Sequence, residues 1–380
     1  MSNSKPENRI AFYTSGECYG GLEKNALHFI QWLKNEAYDI SLITDTESEI
    51  AIAGRTRNIP VHILTYPENY FSIKKTRWLK RVILRENISM LFIIRPRDIL
   101  TTVFLKAFLY RKLRLVLFQQ SVIRLEKSPF VYTLLFRPFD AWISPSKAIQ
   151  DRMLKKTRYN PARMLMIPPC IDTEHFNEER LSKKEIRRSL NLPEEKIIVG
   201  TLGQHDTKRK HDFLIRAVQL LKRNNYHIDL LIMGRSTDEI EEEYFEFLNE
   251  LCRECAVVEQ VHFRPYPEKI TDFFSAVDIF VMNWDPEPYD LFIPKAMASG
   301  VNVIARYSES NAELLDEGRY GLLYKPGDLQ DLSAKIIHLI TQPMLSDHLK
   351  EVAKERVTQY MDRKIACERV QELIKKLLEI

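Results

Sequence analysis

From Asp285 to Ile304 the chain reads Asp-Pro-Glu-Pro-Tyr-Asp-Leu-Phe-Ile-Pro-Lys-Ala-Met-Ala-Ser-Gly-Val-Asn-Val-Ile. One carboxylate, Glu287, stands in a loop punctuated by prolines. The loop feeds a helix expected to start at Pro294, small-faced at Ala296 and Ala298 and stopped by Gly300. A β-branched strand, Val301 to Ile304, follows. The first turn of a helix leaves backbone N–H groups unpaired at the positive end of its dipole, which suits a phosphate. A carboxylate nearby can accept hydrogen bonds from sugar hydroxyls. The pairing suggests a sugar-phosphate site. A second loop of this kind, Gln204 to Lys210, carries Lys208-Arg-Lys210 immediately before a helical pattern at His211–Leu221. Charge runs are usually solvated, but one that opens a helix favours phosphate. Gly20-Gly21, after a strand and before a helix, allows close approach of a ligand. Gln119 and Gln120 close an apolar strand, where they are either a site or a plain strand end. His205 is read as a loop histidine before it is read as a general base. Cys252-Arg-Glu-Cys255 has no second pair at metal-ligand spacing, so structural cysteines are expected.

Such residues need a scaffold. Ile10–Tyr13 reads as a strand, Leu22 to Leu33 as a helix and Tyr38–Thr44 as the next strand, which together make a βαβ unit. Apolar runs at Met90–Ile94, Leu113–Phe118 and Ala141–Ser144 continue the alternation. The pattern restarts with strands at Ile197–Gly203, Ile228–Gly234, Val261–Phe263 and Asp278–Met282, separated by helices that include the acidic Glu239–Cys255. Strand–helix alternation implies parallel sheets with helices on both faces, and ligands at the C-terminal ends of the strands. Between the halves, Ile167-Pro-Pro-Cys-Ile-Asp reads as an extended connector. From Ser346 the chain is mostly helical.

At 380 residues the chain is too long for one ordinary core, so two domains are expected. Hydrophobic residues at 45% and charged residues at 28% exclude a disordered chain. Five scattered cysteines with no leader pattern argue for a reducing cytoplasm. No apolar run approaches the roughly 20 residues of a membrane span. Residues 1–170 hold 27 Lys+Arg and 14 Asp+Glu, a net +13, while the remainder holds 29 and 38, a net −9. A basic half invites an anionic partner. In Phe71–Leu84, Ile73, Trp78, Leu79, Val82 and Ile83 can form an apolar stripe, with Lys74, Lys75, Arg77, Lys80, Arg81 and Arg85 on the other face. This reads equally as an interfacial helix on anionic lipid or as a domain helix with a basic outer face. No nucleic-acid-binding signature accompanies these charges.

Several segments, in order, resemble retaining GT-B glycosyltransferases of glycosyltransferase family 4. Gly20-Gly21 is similar to that family's N-terminal glycine pair, and Ile143-Ser-Pro-Ser-Lys147 to its strand-to-helix turn. Ile167 to Phe176 resembles its hinge, Gly203 to Leu214 its phosphate loop, Glu287 to Gly300 its E-x7-E motif and Gly318 to Asp328 its glycine-proline segment. The resemblance implies two Rossmann-like domains facing a central cleft, an acceptor domain over 1–170, a donor domain over 171–358 and a C-terminal helix, 359–380, returning to the first domain. It further implies transfer of a hexose-type sugar, with retention and without a metal or cofactor, from a nucleotide diphosphate sugar to a glycan or lipid-linked acceptor in surface polysaccharide synthesis. Glu287, Arg209 and Lys210 are the expected catalytic residues. Gly20, Gly21, Gln204, Arg264, Tyr266, Tyr289, Asp290, Leu291, Phe292 and Lys295 are expected at the donor, with Arg264 and Tyr266 near the base. Gln119 and Gln120 are expected at the acceptor or sugar. A cytoplasmic protein, peripheral on the inner membrane face through residues 71–85, is the corresponding location.

The chain also departs from the family pattern. The second Glu of E-x7-E is Lys295, the phosphate-loop Arg is Gln204, and the phosphate-loop Lys is Arg209. The histidine that faces the donor sugar falls on Gln119 or Gln120, a glycine pair reads Glu309-Ser310, and a glycine of the E-x7-E loop is Asp290. Lys can only donate where Glu would accept. Losing a cation at Gln204 while gaining one at Lys295 reads as compensation. A non-catalytic GT-B binding partner, or an enzyme with an unusual donor, are the alternatives these changes leave.

Overall fold

The computed structural model describes residues 9–16, 21–44, 47–64, 71–119, 123, 129–176, 181–236, 238–284 and 291–379. The chain divides into two compact units, one of Met1–Pro169 with Lys364–Ile380, the other of Cys170–Pro286 with Leu291–Arg363. In chain order the first unit contains β1 (Arg9–Thr14), α1 (Gly21–Asn35), β2 (Ile40–Thr44), α2 (Glu49–Thr56), β3 (Val61–Ile63), α3 (Ile73–Arg85), β4 (Ile88–Ile93), α4 (Ile99–Phe104), β5 (Arg114–Phe118), α5 (Pro129–Phe136), β6 (Ala141–Ser144), α6 (Lys147–Thr157) and β7 (Met164–Met166). A π turn, Leu105–Leu109, continues α4. The second unit follows with α7 (Lys183–Ser189), β8 (Ile198–Leu202), α8 (His211–Arg223), β9 (Asp229–Gly234), α9 (Glu239–Glu254), β10 (Val261–Pro265), α10 (Ile270–Ala276), β11 (Ile279–Met282), α11 (Phe292–Ala298), β12 (Asn302–Arg306), α12 (Glu309–Leu314), β13 (Leu322–Tyr324), α13 (Leu329–Thr341) and α14 (Pro343–Tyr360). The last helix, α15 (Arg363–Leu378), belongs to the first unit from Lys364. There Arg369, Leu373 and Lys376 line a groove of about 370 Å³ with Ala141, Arg163 and Leu165.

Each unit is a parallel, Rossmann-like sheet. The first runs β3-β2-β1-β4-β5-β6-β7 and the second β10-β9-β8-β11-β12-β13. Strand order reverses between β1 and β4 in one sheet and between β8 and β11 in the other. These are the positions where such sheets open a crevice at the carboxyl ends of their strands. Right-handed crossovers put α1 and α2 on one face of the first sheet and α3 to α6 on the other. Alternate side chains feed the two faces. In β11, Phe280 and Met282 join one buried cluster while Ile279 and Val281 join another, and Met233 and Ile232 of β9 divide in the same way. In the first sheet Phe12 stacks on Phe92 at 4.6 Å on the α1 side, and Tyr13, Leu91 and Ile93 face the α3 side.

Three expectations are corrected here. The short strands β3, β7 and β13 were not anticipated; each has three residues at or beside a sheet edge, too few for an alternating pattern to register. Helix α11 starts at Phe292, with Leu291 as its N-cap residue, and Pro294 falls inside the first turn, where its missing N–H costs no bond. The helix ends as expected at Gly300: this residue has φ +70°, its N–H donates to the Met297 carbonyl and that of Val301 to Ala296, a Schellman closure. The third correction concerns α3. Leu79, Val82 and Ile83 are buried in the core of the first unit and Trp78 packs against it. From Trp78 onward the apolar stripe therefore faces the sheet, as the domain-helix alternative has it, while Ile73 is exposed. Lys75, assigned to the basic outer face, is buried beside Asp98.

Candidate functional site

At the β8–β11 crossing, β8 is followed by Gly203 at φ +143°. A side chain there would be strained by this φ, and a Cβ would crowd Arg209, lying 2.9 Å from Nε and 3.0 Å from Cδ. At Gly234, at the end of β9, a Cβ would meet the Gly203 carbonyl at 2.1 Å, so the two strand ends touch through backbone alone. The loop then turns through Asp206, whose Oδ1 accepts from the Arg209 N–H at 2.8 Å. It closes on Lys210, an exposed lysine in the left-handed conformation (φ +51°) immediately before α8. That conformation costs an L-residue about 1–2 kcal/mol, and tertiary bonds hold it. Asn283, after β11, donates Nδ2–H to the Lys210 carbonyl at 2.8 Å, and Tyr324 of β13 donates its hydroxyl to Asn283 Oδ1. The Lys210 side chain does not cap α8, and Tyr244 Oη accepts from the Asp212 N–H of its first turn at 3.4 Å.

Two histidines sit beneath this loop. His211 is fully buried, with Nε2 3.1 Å from the Gln204 carbonyl oxygen. Burial pushes its pKa down to about 3, so the ring is neutral, Nε2–H donates to that carbonyl, and Nδ1 has no partner among the described residues. His205 packs on Phe245 at 4.8 Å, and burial lowers its pKa as well. It behaves as a core aromatic ring and is not placed as a general base.

Arg209 lies between Gly203 and Trp284. Its guanidinium carbon is 4.2 Å from the centroid of the Trp284 ring, and Nη1 is buried with no hydrogen-bond partner among the described residues. Trp284 meets Phe292 edge-on at 5.9 Å, and Lys295 Nζ lies 6.0 Å from the Phe292 centroid. An aromatic ladder thus connects Arg209 to Lys295. The structure brings together Gln204, Arg209, Lys210, Phe292 and Lys295 from the expected set, with Leu291 at the entrance to α11. Glu287, Tyr289, Asp290, Gly20 and Gln120 lie outside the described residues. Gly21 opens α1. Arg264 has a different task from the one expected: its guanidinium donates to the carbonyls of Leu190 (2.6 Å), Asn191 (3.0 Å) and Phe263 (2.8 Å), closing the end of α7. Tyr266 follows β10, the edge strand two places from β8, and is exposed. Gln119 is buried, and its Oε1 accepts from Trp142 Nε1–H at 2.9 Å, which makes it a strand-end residue.

The corresponding crossing in the first unit carries a buried polar cluster that sequence reasoning missed. The Ser15 N–H donates to Asp98 Oδ2 at 3.0 Å, and Arg97 Nε donates to Ser15 Oγ at 2.7 Å. Lys75 Nζ is 3.8 Å from Asp98 Oδ1, and Arg95 Nε donates to Glu23 Oε1 at 2.9 Å. Burial pushes the Asp98 carboxyl above the usual range, against the hydrogen bonds from Ser15 and the nearby Lys75 and Arg97 charges. Trp284, Asn283 and Tyr324 were missed too. The one available signal was a polar–aromatic pair, Asn283-Trp284, closing an apolar strand. Cys252 and Cys255 are buried free thiols, and burial raises Cys252 to about 11. Among the described residues no group of three His, Cys, Asp or Glu converges as metal ligands.

Residues 19–175 match the model of Glycosyltransferase Family 4, and residues 182–356 that of Glycosyl transferases group 1. Among curated proteins, the chain is 25% identical over 203 residues to mannosylfructose-phosphate synthase of Agrobacterium fabrum, covering 52% of this chain and 44% of that one. It is 26% identical over 175 residues to the GDP-mannose-dependent alpha-(1-6)-phosphatidylinositol monomannoside mannosyltransferase of Mycobacterium tuberculosis, covering 43% and 44%. The chain spans about half the length of the curated relatives it matches. Among solved structures, a Rickettsia africae glycosyltransferase superposes with TM-score 0.87 at 13% identity, covering 98% and 99% of the two chains. Anabaena HepE in complex with UDP superposes with TM-score 0.84 at 16% identity, covering 97% and 100%.

Proposed function

Because the chain belongs to the glycosyltransferases of the group 1 and family 4 type, we propose that it moves a hexose-type sugar, with retention, from a nucleoside diphosphate sugar to a glycan or lipid-linked acceptor of a surface polysaccharide. The observation that carries this reading is Arg209: a permanent cation, 4.2 Å over the Trp284 ring at the mouth of the β8–β11 crossing, with a buried N–H that no described residue satisfies. A buried donor of this kind calls for an acceptor. The N-terminus of α8, whose N-cap residue Lys210 offers no side-chain acceptor, lies directly after it. A diphosphate supplies about two negative charges and several acceptor oxygens for both. Similarity to the UDP-bound Anabaena protein supports a nucleoside diphosphate as the ligand.

In this reading the bond between the anomeric carbon and the phosphate oxygen breaks while the acceptor hydroxyl oxygen bonds to the same carbon on the same face. The hydroxyl proton passes to the departing phosphate. Arg209, Lys210 and the α8 N-terminus balance the leaving-group charge in place of a metal. Glu287 orients the sugar. Lys295, at the other end of the Trp284–Phe292 ladder, takes the ribose–phosphate end and offsets the loss of an arginine at Gln204. The similarity to the phosphatidylinositol monomannoside mannosyltransferase supports a lipid-linked acceptor, and a peripheral position on the inner membrane face is the location such an acceptor would require.

The test is diphosphate release from a panel of UDP-, GDP- and ADP-sugars, with chelator added in a parallel series. Arg209→Ala is expected to lower kcat/KM for the productive donor by roughly 10- to 100-fold, the loss of one charge-assisted contact. Unchanged turnover in Arg209→Ala would overturn the reading. A second reading, a non-catalytic GT-B binding partner, draws on the departures at Gln204 and Lys295. It predicts nucleotide binding without diphosphate release in the same panel.

A further inference from the structure

We propose that Trp284 is a positioning residue for the leaving group: its indole face fixes the plane of the Arg209 guanidinium, so that Nη1 meets the diphosphate of the departing nucleotide. The inference rests on the donor-site reading above and adds a residue to it.

Three observations carry it. The first is confinement. Arg209 is bounded by the bare backbone of Gly203 on one side and by Trp284, at 4.2 Å, on the other. A guanidinium is planar and stacks on an aromatic face; the ammonium of a lysine has no plane to stack. The second is the orphaned donor. Arg209 cannot shed its proton, so the buried Nη1–H, which has no acceptor among the described residues, is not relieved by ionisation and is open to an incoming acceptor. The third is the neighbouring residue. Asn283 holds the Lys210 carbonyl while Trp284 holds the Arg209 side chain, so consecutive residues at the end of β11 grip consecutive residues of the loop. One grip sets the start of α8 and the other sets the fork. Trp284 itself is nearly buried and braced by Phe280 at 6.4 Å and Phe292 at 5.9 Å, so it is a rigid platform.

The experiment uses the full chain and calorimetric titration with UDP and GDP, with uridine and guanosine as phosphate-free controls and inorganic pyrophosphate as competitor. For whichever diphosphate binds the native protein, Trp284→Leu is expected to weaken binding about tenfold. The matching nucleoside should change less than twofold, and pyrophosphate competition should fall in parallel. Trp284→Phe keeps a stacking face and should stay within about threefold. In a Trp284→Leu/Arg209→Ala double variant the loss should not exceed that of Arg209→Ala alone, because one residue acts through the other. Equal loss of diphosphate and nucleoside in Trp284→Leu, or losses that add in the double variant, would overturn the proposal and leave Trp284 a packing residue. If Trp284→Leu does not fold, Trp284→Phe with Arg209→Lys takes its place: loss in Arg209→Lys with retention in Trp284→Phe supports stacking, and the reverse overturns it. If the native protein binds neither UDP nor GDP, the donor-site reading itself fails, an outcome distinct from native binding that Trp284→Leu leaves untouched.

Discussion

A charged side chain does chemistry only when its surroundings fix where the charge points. Arg209 and Lys210 are adjacent, yet one is clamped between a glycine and an indole while the other is exposed and strained in its backbone. His211 supports both from below as a neutral ring, and this has a consequence for acid stability. Its folded pKa, about 3, lies below the unfolded value near 6.5. The unfolded chain therefore binds the extra proton between those values. Stability falls as pH drops below about 6.5 and is regained as pH rises. His211→Gln keeps a donor for the Gln204 carbonyl but does not titrate. Between pH 7 and 5.5 the native protein should lose about 1 kcal/mol more than this variant, read from urea unfolding midpoints; equal losses would mean that the ring charges freely when folded. Sequence alone placed Arg209 and Lys210 in a loop that opens a helix, because a basic run before a helical pattern is recognisable. It could not locate Trp284, more than seventy residues away, because only the β8–β11 pairing brings the two together. Lys75 misled for the opposite reason: one lysine in a basic run looks like its solvated neighbours until the sheet places Asp98 beside it.

At the level of elements, long periodic segments were legible and short edge pieces were not. The central strands announce themselves by apolar runs, whereas β3, β7 and β13 carry three residues each. The α3 stripe shows how one pattern serves two partners: a helix looks amphipathic whether its apolar side meets a sheet or a lipid. The second unit depends on a joint that no motif marks. Arg187 of α7, nearly buried, donates to the carbonyls of Ala276 (2.9 Å), Glu194 (2.6 Å) and Lys196 (2.9 Å), and to Asp278 Oδ2 at 2.7 Å. Asp278 in turn accepts from the Ile198 N–H at 2.7 Å. One guanidinium therefore ties the lead-in of β8 to that of β11, the two strands that flank the candidate site. Arg187→Met should destabilise the protein by about 2–3 kcal/mol, as expected when backbone carbonyls lose a buried charged donor; a change under about 1 kcal/mol in urea unfolding would refute that assignment.

At the scale of the molecule, the first 170 residues carry net +13 and the rest −9. No helix among the described residues is long and apolar enough to cross a membrane. The α3–α6 layer of the first unit nevertheless exposes Ile73, Leu84, Leu100, Phe108, Phe130 and Leu134. Lys74, Arg77, Arg81, Arg111 and Lys112, also exposed, make no ion pair among the described residues. Apolar side chains among unpaired cations fit an anionic bilayer surface, with the outer face of α3 turned to it in place of the inner stripe. We expect the protein to sediment with vesicles of phosphatidylcholine and phosphatidylglycerol but not with phosphatidylcholine alone, and Phe108→Ser/Phe130→Ser to reduce the bound fraction severalfold. Binding that ignores lipid charge would reject this surface, and loss of a dimer in the same variant would assign it to a second copy of the chain. The second sheet holds one more lever. Tyr324 stands on its outermost strand, over a hundred residues from the loop that carries Arg209, yet its hydroxyl steadies the amide that steadies Lys210. Affinity can therefore drift through changes on that rim while every residue lining the mouth stays the same, so two homologues with identical loops need not share a donor preference.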